Sequence, residues 1–153
     1  MAAKSITMKQ RFNVPLDQVF PVFNQHATFN TILWPIQSIV IKQSHDPDNA
    51  DGVGSVRKMG VGPLKFIQEE ITKIIPNQMI EYQMLKNPLF SYHLGRLEFI
   101  EKAGQTELTY TIWLDSPIPL MAKIGLLQLK ASAKLGLKKV ASQVEKGEFN
   151  VSR

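Results

Sequence analysis

A single arginine stands among apolar residues in a stretch that alternates like a strand. Arg57 is one of only four arginines in the chain, and Val56 and Met59 lie beside it. If the side chain points inward, its guanidinium could hold a carboxylate, enolate or phenolate oxygen through a bidentate, charge-assisted contact. If it points outward, it is a surface charge paired with a neighbouring glutamate. The residue type suits binding of an anionic oxygen, and the sequence leaves both orientations open.

Two glutamates follow in the next predicted strand. Glu69 and Glu70 are adjacent, so their side chains project to opposite faces of the sheet. They therefore cannot form a carboxylate pair for acid/base catalysis, and at most one of them points inward. We take Glu69 as that candidate, and we expect it to neutralise Arg57 rather than to act as a base with a raised pKa.

One histidine also lies in a predicted strand. His93 could act as a general base for an enolisation, whereas His26 and His45 fall in loop or helix-end positions. The alternative is that the His93 imidazole is simply hydrogen-bonded. The sequence supports His93 as a candidate site residue without deciding between these roles.

The three tyrosines occur in successive predicted strands: Tyr82, Tyr92 and Tyr110. Neighbouring antiparallel strands would bring them close together and present hydroxyl groups on an apolar wall. The alternative is core packing with hydrogen-bonded hydroxyls. The sequence supports the tyrosines as candidate ligand-binding residues without deciding between these interpretations.

The elements that must position these residues begin with an alternating strand, Ser5–Val14, and two short helices, Leu16–Asn24 and Ala27–Leu33. Six further strands are separated by turns: Gln37–Gln43, Gly54–Met59, Leu64–Ile75, Met79–Leu85, Phe90–Glu101 and Thr106–Leu114. Such short connections favour antiparallel neighbours. The order β-α-α-β6-α therefore predicts an α+β fold with a curved antiparallel sheet of about seven strands.

The last long segment, about 116 to 146, predicts one continuous helix. Its apolar residues form two flanks: Leu120, Ile124, Leu127, Ala131 and Leu135 on one, and Leu126, Leu129, Ala133, Leu137, Val140 and Val144 on the other. Between the flanks lies a strip of small residues, Gly125, Ser132 and Gly136. Because glycine and serine are poor helix formers, either close packing or empty space explains them. This pattern predicts a helix held by the sheet on most of its circumference.

A strip of small residues facing aromatic strand residues favours a cavity. The strand positions expected to face the helix are Ile80, Tyr82, Met84, Leu108, Tyr110 and Ile112. Gly125 and Ser132 would form the opposite wall. The alternative is that phenylalanine and methionine side chains fill the space completely.

The net charge of +5 is concentrated on the final helix, because residues 119–146 contain six lysines and one acid, Glu145. Four of these lysines share the arc opposite the small strip and are expected to face solvent: Lys123, Lys130, Lys134 and Lys138. A solvated stripe is the simplest interpretation, and weak contact with an anionic membrane or with an acidic partner is the alternative. Nucleic-acid binding is disfavoured because no aromatic residue interleaves with the lysines.

The composition bounds the remaining possibilities. A chain of 153 residues with 44% hydrophobic residues fits one domain covering 1–153. Without an apolar leader or a long apolar run, we expect a protein that is neither secreted nor membrane-spanning. The absence of cysteine excludes disulfides and thiol chemistry and suits the cytoplasm. Three scattered histidines predict no metal site, and no motif indicates a cofactor.

Four parts of the chain carry a resemblance to known proteins: Val14–Phe20, Gly54–Arg57, Glu69–Thr72 with the following Pro76 and Ile80–Tyr82, and Thr106–Trp113 before a terminal helix. In these segments the chain resembles the SRPBCC superfamily of START-like, Bet v 1-like helix-grip proteins, and in particular its bacterial polyketide cyclase/dehydrase-like branch. The resemblance implies a deep, mostly apolar cavity for a lipid, polyketide, sterol-like or aromatic molecule. Members range from carriers and sensors to cyclases and hydrolases, so the fold does not select an activity.

The leading hypothesis is therefore a protein that binds a hydrophobic small molecule between its sheet and its terminal helix. One alternative is a cyclase- or dehydratase-type enzyme in which Arg57 and a tyrosine or His93 polarise a carbonyl. A further alternative is a lipid carrier that works at membrane surfaces through its lysine stripe.

Overall fold

Alternating strand patterns and short turns build a seven-stranded antiparallel sheet with the order β1-β7-β6-β5-β4-β3-β2. The computed structural model describes residues 3–148. Its elements are β1 (Lys4–Phe12), α1 (Leu16–Phe23), α2 (Thr28–Ile32), β2 (Gln37–Lys42), β3 (Val56–Val61), β4 (Leu64–Ile75), β5 (Met79–Met84), β6 (Tyr92–Lys102), β7 (Gln105–Asp115) and α3 (Met121–Glu145). The predicted helix-grip fold is confirmed.

The inner face of the sheet follows the period-two pattern of its strands. Leu108, Tyr110 and Ile112 alternate along β7 and are fully buried, as are Ile80 and Tyr82 on β5. Since successive strand residues point to opposite faces, one apolar face is directed at α3. The positions predicted to face the helix are therefore inside the molecule.

Helix α3 begins at Met121 rather than near Ser116. Pro117 and Pro119 lie in the intervening segment, where the proline ring removes a backbone donor and disfavours helical geometry in the preceding residue. Leu120, at the N-cap, adopts a left-handed backbone conformation with a φ of 66°. The chain therefore turns before the helix starts.

Only one side of α3 is buried. Ala133, Leu137, Val140 and Val144 pack into the core, but the flank formed by Leu120, Ile124, Leu127, Ala131 and Leu135 is exposed. The prediction that the helix is held on most of its circumference is therefore wrong. The sheet and α2 cover one broad arc of the helix, and the exposed flank lies outside this arc.

The short helices close one end of the groove between sheet and α3. Phe23 of α1 packs edge-on against Phe12 of β1, with ring centroids 5.6 Å apart, and Phe20 packs against Phe99 at 5.3 Å. Helix α2 lies directly against α3. Among residues 3–148, no helix combines the length and the apolar character needed to cross a bilayer.

Candidate functional site

Arg57 points into the molecule and pairs with Glu69. The register of β3 and β4 places the two residues opposite each other. Arg57 Nε and Nη2 donate to Glu69 Oε1 at 3.0 and 2.7 Å, and the two residues are only 0% and 2% exposed. The prediction that Glu69 neutralises Arg57 is confirmed.

Aromatic rings enclose the guanidinium of Arg57. Its central carbon lies 4.2 Å from the ring centroid of Phe29 on α2 and 4.6 Å from that of Tyr82 on β5. Burial alone would lower the pKa of Arg57, but the Glu69 carboxylate together with Tyr82 and Tyr110 outweighs burial and raises it. The guanidinium is therefore a permanent buried cation with its partners already in place.

The second carboxylate oxygen of Glu69 contacts His93. Glu69 Oε2 lies 2.5 Å from His93 Nε2, while His93 Nδ1 lies 3.1 Å from the carbonyl oxygen of Trp113. Burial alone would raise the pKa of Glu69, but Arg57 and His93 together lower it to about 2. Both ring nitrogens of His93 thus face oxygen acceptors. Glu69 is a carboxylate bridging two donors.

A second buried histidine joins the cluster from the other side. His26 Nε2 lies 2.8 Å from Ser55 Oγ, and that hydroxyl donates to the carbonyl oxygen of Gly52 at 2.6 Å. Ser55 Oγ must therefore accept the proton of Nε2, which leaves Nδ1 free to accept from Arg57 Nη1 at 3.4 Å. Burial and the Arg57 charge lower the pKa of His26 to about 4. His26 is neutral at pH 7.

Sequence reasoning missed His26 as a member of this cluster. The residue follows α1 in a short connection, a position that carries no periodic signal. Its partner Arg57 is 31 positions away along the chain. Only the tertiary fold, in which the connection between α1 and α2 lies against Ser55 and Arg57, brings them together, so no local pattern could have identified the contact.

Two of the tyrosines form a buried hydroxyl pair. Tyr82 and Tyr110 hydrogen-bond to each other through their hydroxyl groups, and burial raises the pKa of both phenols. Gly95 lies opposite Tyr82 in the β5–β6 register, and a Cβ at Gly95 would lie 2.0 Å from Tyr82 Cζ. A glycine inside a strand therefore provides the room that this ring occupies.

A cavity of about 250 Å³ lies beside this cluster, between the sheet and the N-terminal part of α3. Its polar wall residues are Glu69, Tyr82, His93 and Gln128. The rest of the wall is apolar or glycine, and includes Leu33, Ile36, Met59, Ile67, Met84, Phe90, Ile112, Leu114, Gly125 and Leu129. The cavity is therefore an apolar space with one polar corner.

The strip of small residues on α3 is divided among three environments. Gly125 lines the cavity, and a Cβ there would meet only the end of the Leu114 side chain, at 3.1 Å. Gly136 packs on α2, where a Cβ would lie 2.3 Å from the carbonyl oxygen of Ile32. Ser132 lies in an outer groove between α2 and α3. Both predicted explanations therefore apply: Gly125 borders empty space, and Gly136 permits close packing.

The eight residues predicted to bind a ligand fall into three groups. Four line the cavity: Glu69, Tyr82, His93 and Gly125. Two belong to the buried network beside it, outside the cavity lining: Arg57 and Tyr110. The remaining two lie elsewhere. Tyr92 is the first residue of β6 and is exposed at the surface, and Ser132 faces the outer groove between α2 and α3.

The polar cluster does not have the composition of a metal centre. Within residues 3–148, no group of three or more histidines and carboxylates is placed to hold a metal ion. The Arg57 guanidinium occupies one oxygen of the buried carboxylate Glu69. A cation at that position would be repelled by the arginine.

The resemblance to START-like, Bet v 1-like helix-grip proteins seen in the sequence is confirmed by a family match, and solved structures share the fold. Residues 3–145 match the family model described as "Polyketide cyclase / dehydrase and lipid transport". The match covers most of the chain, so the protein belongs to this family. No curated protein matches the chain at a significant level.

Solved structures share the fold at low sequence identity. A START superfamily protein from Mycobacterium smegmatis has a TM-score of 0.70 and 9% identity, covering 93% of this chain and 97% of the relative. A protein from Thermus thermophilus has a TM-score of 0.68 and 14% identity, with coverages of 96% and 100%.

Norcoclaurine synthase from Thalictrum flavum, solved with dopamine and hydroxybenzaldehyde, has a TM-score of 0.61 and 17% identity, with coverages of 92% and 87%. At these identities the similarities show the fold.

Proposed function

We propose that the protein binds a hydrophobic small molecule in the cavity between the sheet and the N-terminal part of α3. The observation that carries the proposal is a cavity of about 250 Å³ with an almost wholly apolar wall. Ligand pockets usually start at about 300 Å³, so the ligand is small or extends through the mouth. A hydroxyl or amine on it would find Glu69 at the polar corner.

The affinity would come mainly from buried area. Burial of about 300 Å² of apolar ligand surface at ~25 cal/mol per Å² contributes roughly 7 kcal/mol before association costs are subtracted. The polar corner adds orientation more than free energy, because Glu69 and His93 already bind each other. Modest binding therefore needs no reactive group.

Filling the cavity from the helix tests this proposal. A leucine in Gly125→Leu would extend into the cavity, and the substitution also improves helix propensity. We expect at least about a tenfold loss of binding of N-phenylnaphthylamine, a dye that fluoresces in apolar surroundings. Ser132→Leu, in the outer groove of the same helix, is the matched control.

Equal dye binding by the wild type and the Gly125→Leu variant would contradict the proposal. Loss of binding in both variants would also contradict it, since the Ser132 side chain does not reach the cavity. Native mass spectrometry of the purified protein would then identify a co-purified molecule by its mass.

A second candidate function is carbonyl chemistry of the cyclase or dehydratase type. It is favoured by the His93 imidazole at the wall of an apolar cavity, held by Glu69. Arg57 would not touch the substrate in this scheme, since Glu69 and two rings enclose it; it would keep Glu69 ionised. In a screen of polyketide-like and aromatic carbonyl compounds, His93→Gln should lower turnover far more than binding. Equal loss of both would argue against catalysis.

Contact with an anionic membrane through the lysine stripe stays a proposal. The four lysines are all exposed: Lys123, Lys130, Lys134 and Lys138. Electrostatic contact of this kind should weaken as salt is added. Binding to vesicles that does not change with salt would contradict a contact made by lysines alone.

A further inference from the structure

Large apolar side chains are exposed around the mouth of the cavity. On the β3–β4 hairpin, Val61, Leu64 and Phe66 are 56%, 71% and 51% exposed while also lining the cavity. On α3, Ile124 and Leu127 are 64% and 59% exposed and stand next to the lining residues Gly125 and Gln128. Two separate elements thus present apolar side chains to solvent at one opening.

This apolar surface continues beyond the mouth. Gln128 lines both the cavity and the outer groove between α2 and α3. The groove is bordered by Trp34 and Leu135, which are 69% and 72% exposed. We call the whole surface the mouth face: the hairpin residues, Ile124, Leu127, Leu135 and Trp34. Clustered exposure on this scale usually marks an interaction surface.

The charge around the mouth face has one sign. The segments that form it, 28–43, 60–68 and 116–144, contain seven lysines and no acidic residue. The rest of the chain carries 11 basic and 13 acidic residues. A partner for this face must therefore accept apolar side chains and supply negative charge nearby.

We propose that the mouth face docks on an anionic lipid bilayer, with the cavity opening toward the lipid. The apolar residues would enter the boundary between headgroups and acyl chains, and the lysines would stay at the headgroups. The purpose of such docking rests on the proposed function: a hydrophobic ligand could pass between the cavity and the membrane without crossing water. The docking itself is measured separately.

The charge argues for a bilayer over a second copy of this chain. A symmetric dimer through the mouth face would place the lysines of one copy beside those of the other. Like charges at short range oppose such a contact, and the described residues of the face supply no carboxylate to relieve it. An anionic bilayer complements both the apolar and the basic parts of the surface.

Trp34 provides a reporter within the mouth face. In a Trp113→Phe variant it is the sole tryptophan of the chain. Mixing this variant with vesicles of phosphatidylcholine and phosphatidylglycerol should shift its emission to shorter wavelength, and brominated acyl chains should quench it. Vesicles of phosphatidylcholine alone should give a much weaker response. The absence of both changes with anionic vesicles would overturn the proposal.

The apolar contribution is tested without altering charge. The double variant Ile124→Gln/Leu127→Gln should reduce the partition coefficient on anionic vesicles, measured by co-sedimentation, at least about tenfold. Ile100→Gln is the matched control, because Ile100 is 61% exposed but lies toward the far end of β6 from the cavity residue His93. Equal effects of the double variant and the control would refute docking through this face.

The remaining outcomes separate docking from ligand binding. The double variant should still bind N-phenylnaphthylamine in the absence of vesicles, since neither residue lines the cavity. In the wild-type protein, dye binding with no vesicle binding would refute docking and leave the proposed function intact. Vesicle binding of the wild type with no dye binding would leave docking intact and refute the proposed function. A dimer in analytical ultracentrifugation that the double variant dissociates would show that the face pairs with a second copy instead.

Discussion

The space between the sheet and α3 is filled on one side of α2 and open on the other. On one side, which we call the closed region, α2 packs against α3 at Gly136, and Phe29 covers the Arg57 cluster with the space between them filled. On the other side, the cavity region, α3 passes over an open space at Gly125. Both glycines lie on one helix, yet one permits backbone contact and the other leaves volume.

This difference shows that the cavity depends on where α2 ends. Leu33, immediately after α2, already lines the cavity. Beyond that point no described helix fills the groove between the sheet and α3, and small residues on α3 leave the space open. The closed region is packed without empty space, whereas the cavity region remains unfilled.

The largest expected effect is the loss of the buried cation of the closed region. Arg57→Met leaves Glu69 with a single donor and an uncompensated buried charge, so we expect a loss of about 4 kcal/mol in the free energy of unfolding, measured in urea. The double variant Arg57→Met/Glu69→Met should recover much of this loss. A loss below about 1 kcal/mol in the single variant would show that the cluster is not a critical part of the closed region.

The two glycines provide the sharpest comparison. Gly136→Ala places a Cβ 2.3 Å from the Ile32 carbonyl oxygen, which belongs to the backbone and cannot rotate away. We expect a loss of about 3 kcal/mol in the free energy of unfolding.

Gly125→Ala is the matched control for that substitution. Its Cβ meets only the flexible end of Leu114, at 3.1 Å, and alanine favours helix by up to ~1 kcal/mol. This variant should have a stability equal to or slightly above that of the wild type. Similar losses at both positions would mean that the two regions do not differ in packing.

A smaller effect should appear as a dependence of stability on pH. Burial and the charge of Arg57 lower the pKa of His26 from 6.5 to about 4 in the folded protein. Between these values the unfolded chain binds more protons, so stability is complete above pH 6.5 and falls as the pH drops toward 4. The loss between pH 7 and 5 should be about 2 kcal/mol.

The variant His26→Gln isolates this contribution. Its free energy of unfolding should change less than that of the wild type over the same interval, because the group that gains a proton on unfolding is gone. Glu69 acts in a separate window: its pKa falls from 4.5 to about 2, so its contribution is lost below pH 4.5. Parallel pH profiles for the wild type and His26→Gln would contradict the assignment of a neutral His26.

The sequence predicted the elements well and the helix faces only in part. Alternation predicted the first strand and turn residues delimited the other six, most of which bury one face of a single sheet. Helical periodicity identified both flanks of α3 as apolar, but only one flank is buried. An apolar stripe marks a surface that needs a partner, and periodicity does not say whether that partner lies within the chain.

For the candidate site, the sequence likewise predicted which residue types take part better than it predicted which residues contact one another. Glu69 as the partner of Arg57 followed from strand alternation, whereas Tyr92 and Ser132 were placed at a cavity that they do not line. His26 was not found because its contact with Arg57 joins distant parts of the chain.

By itself, the sequence determined the order of strands and helices, the apolar inner face of the sheet and the basic character of α3, since these follow from local spacing and composition. Only the tertiary structure decided that Gly125 borders empty space while Gly136 touches α2, and that one flank of α3 stays exposed at the cavity mouth. The physical reason is that a small residue leaves space beside the helix, and elements distant in the chain decide whether that space is filled.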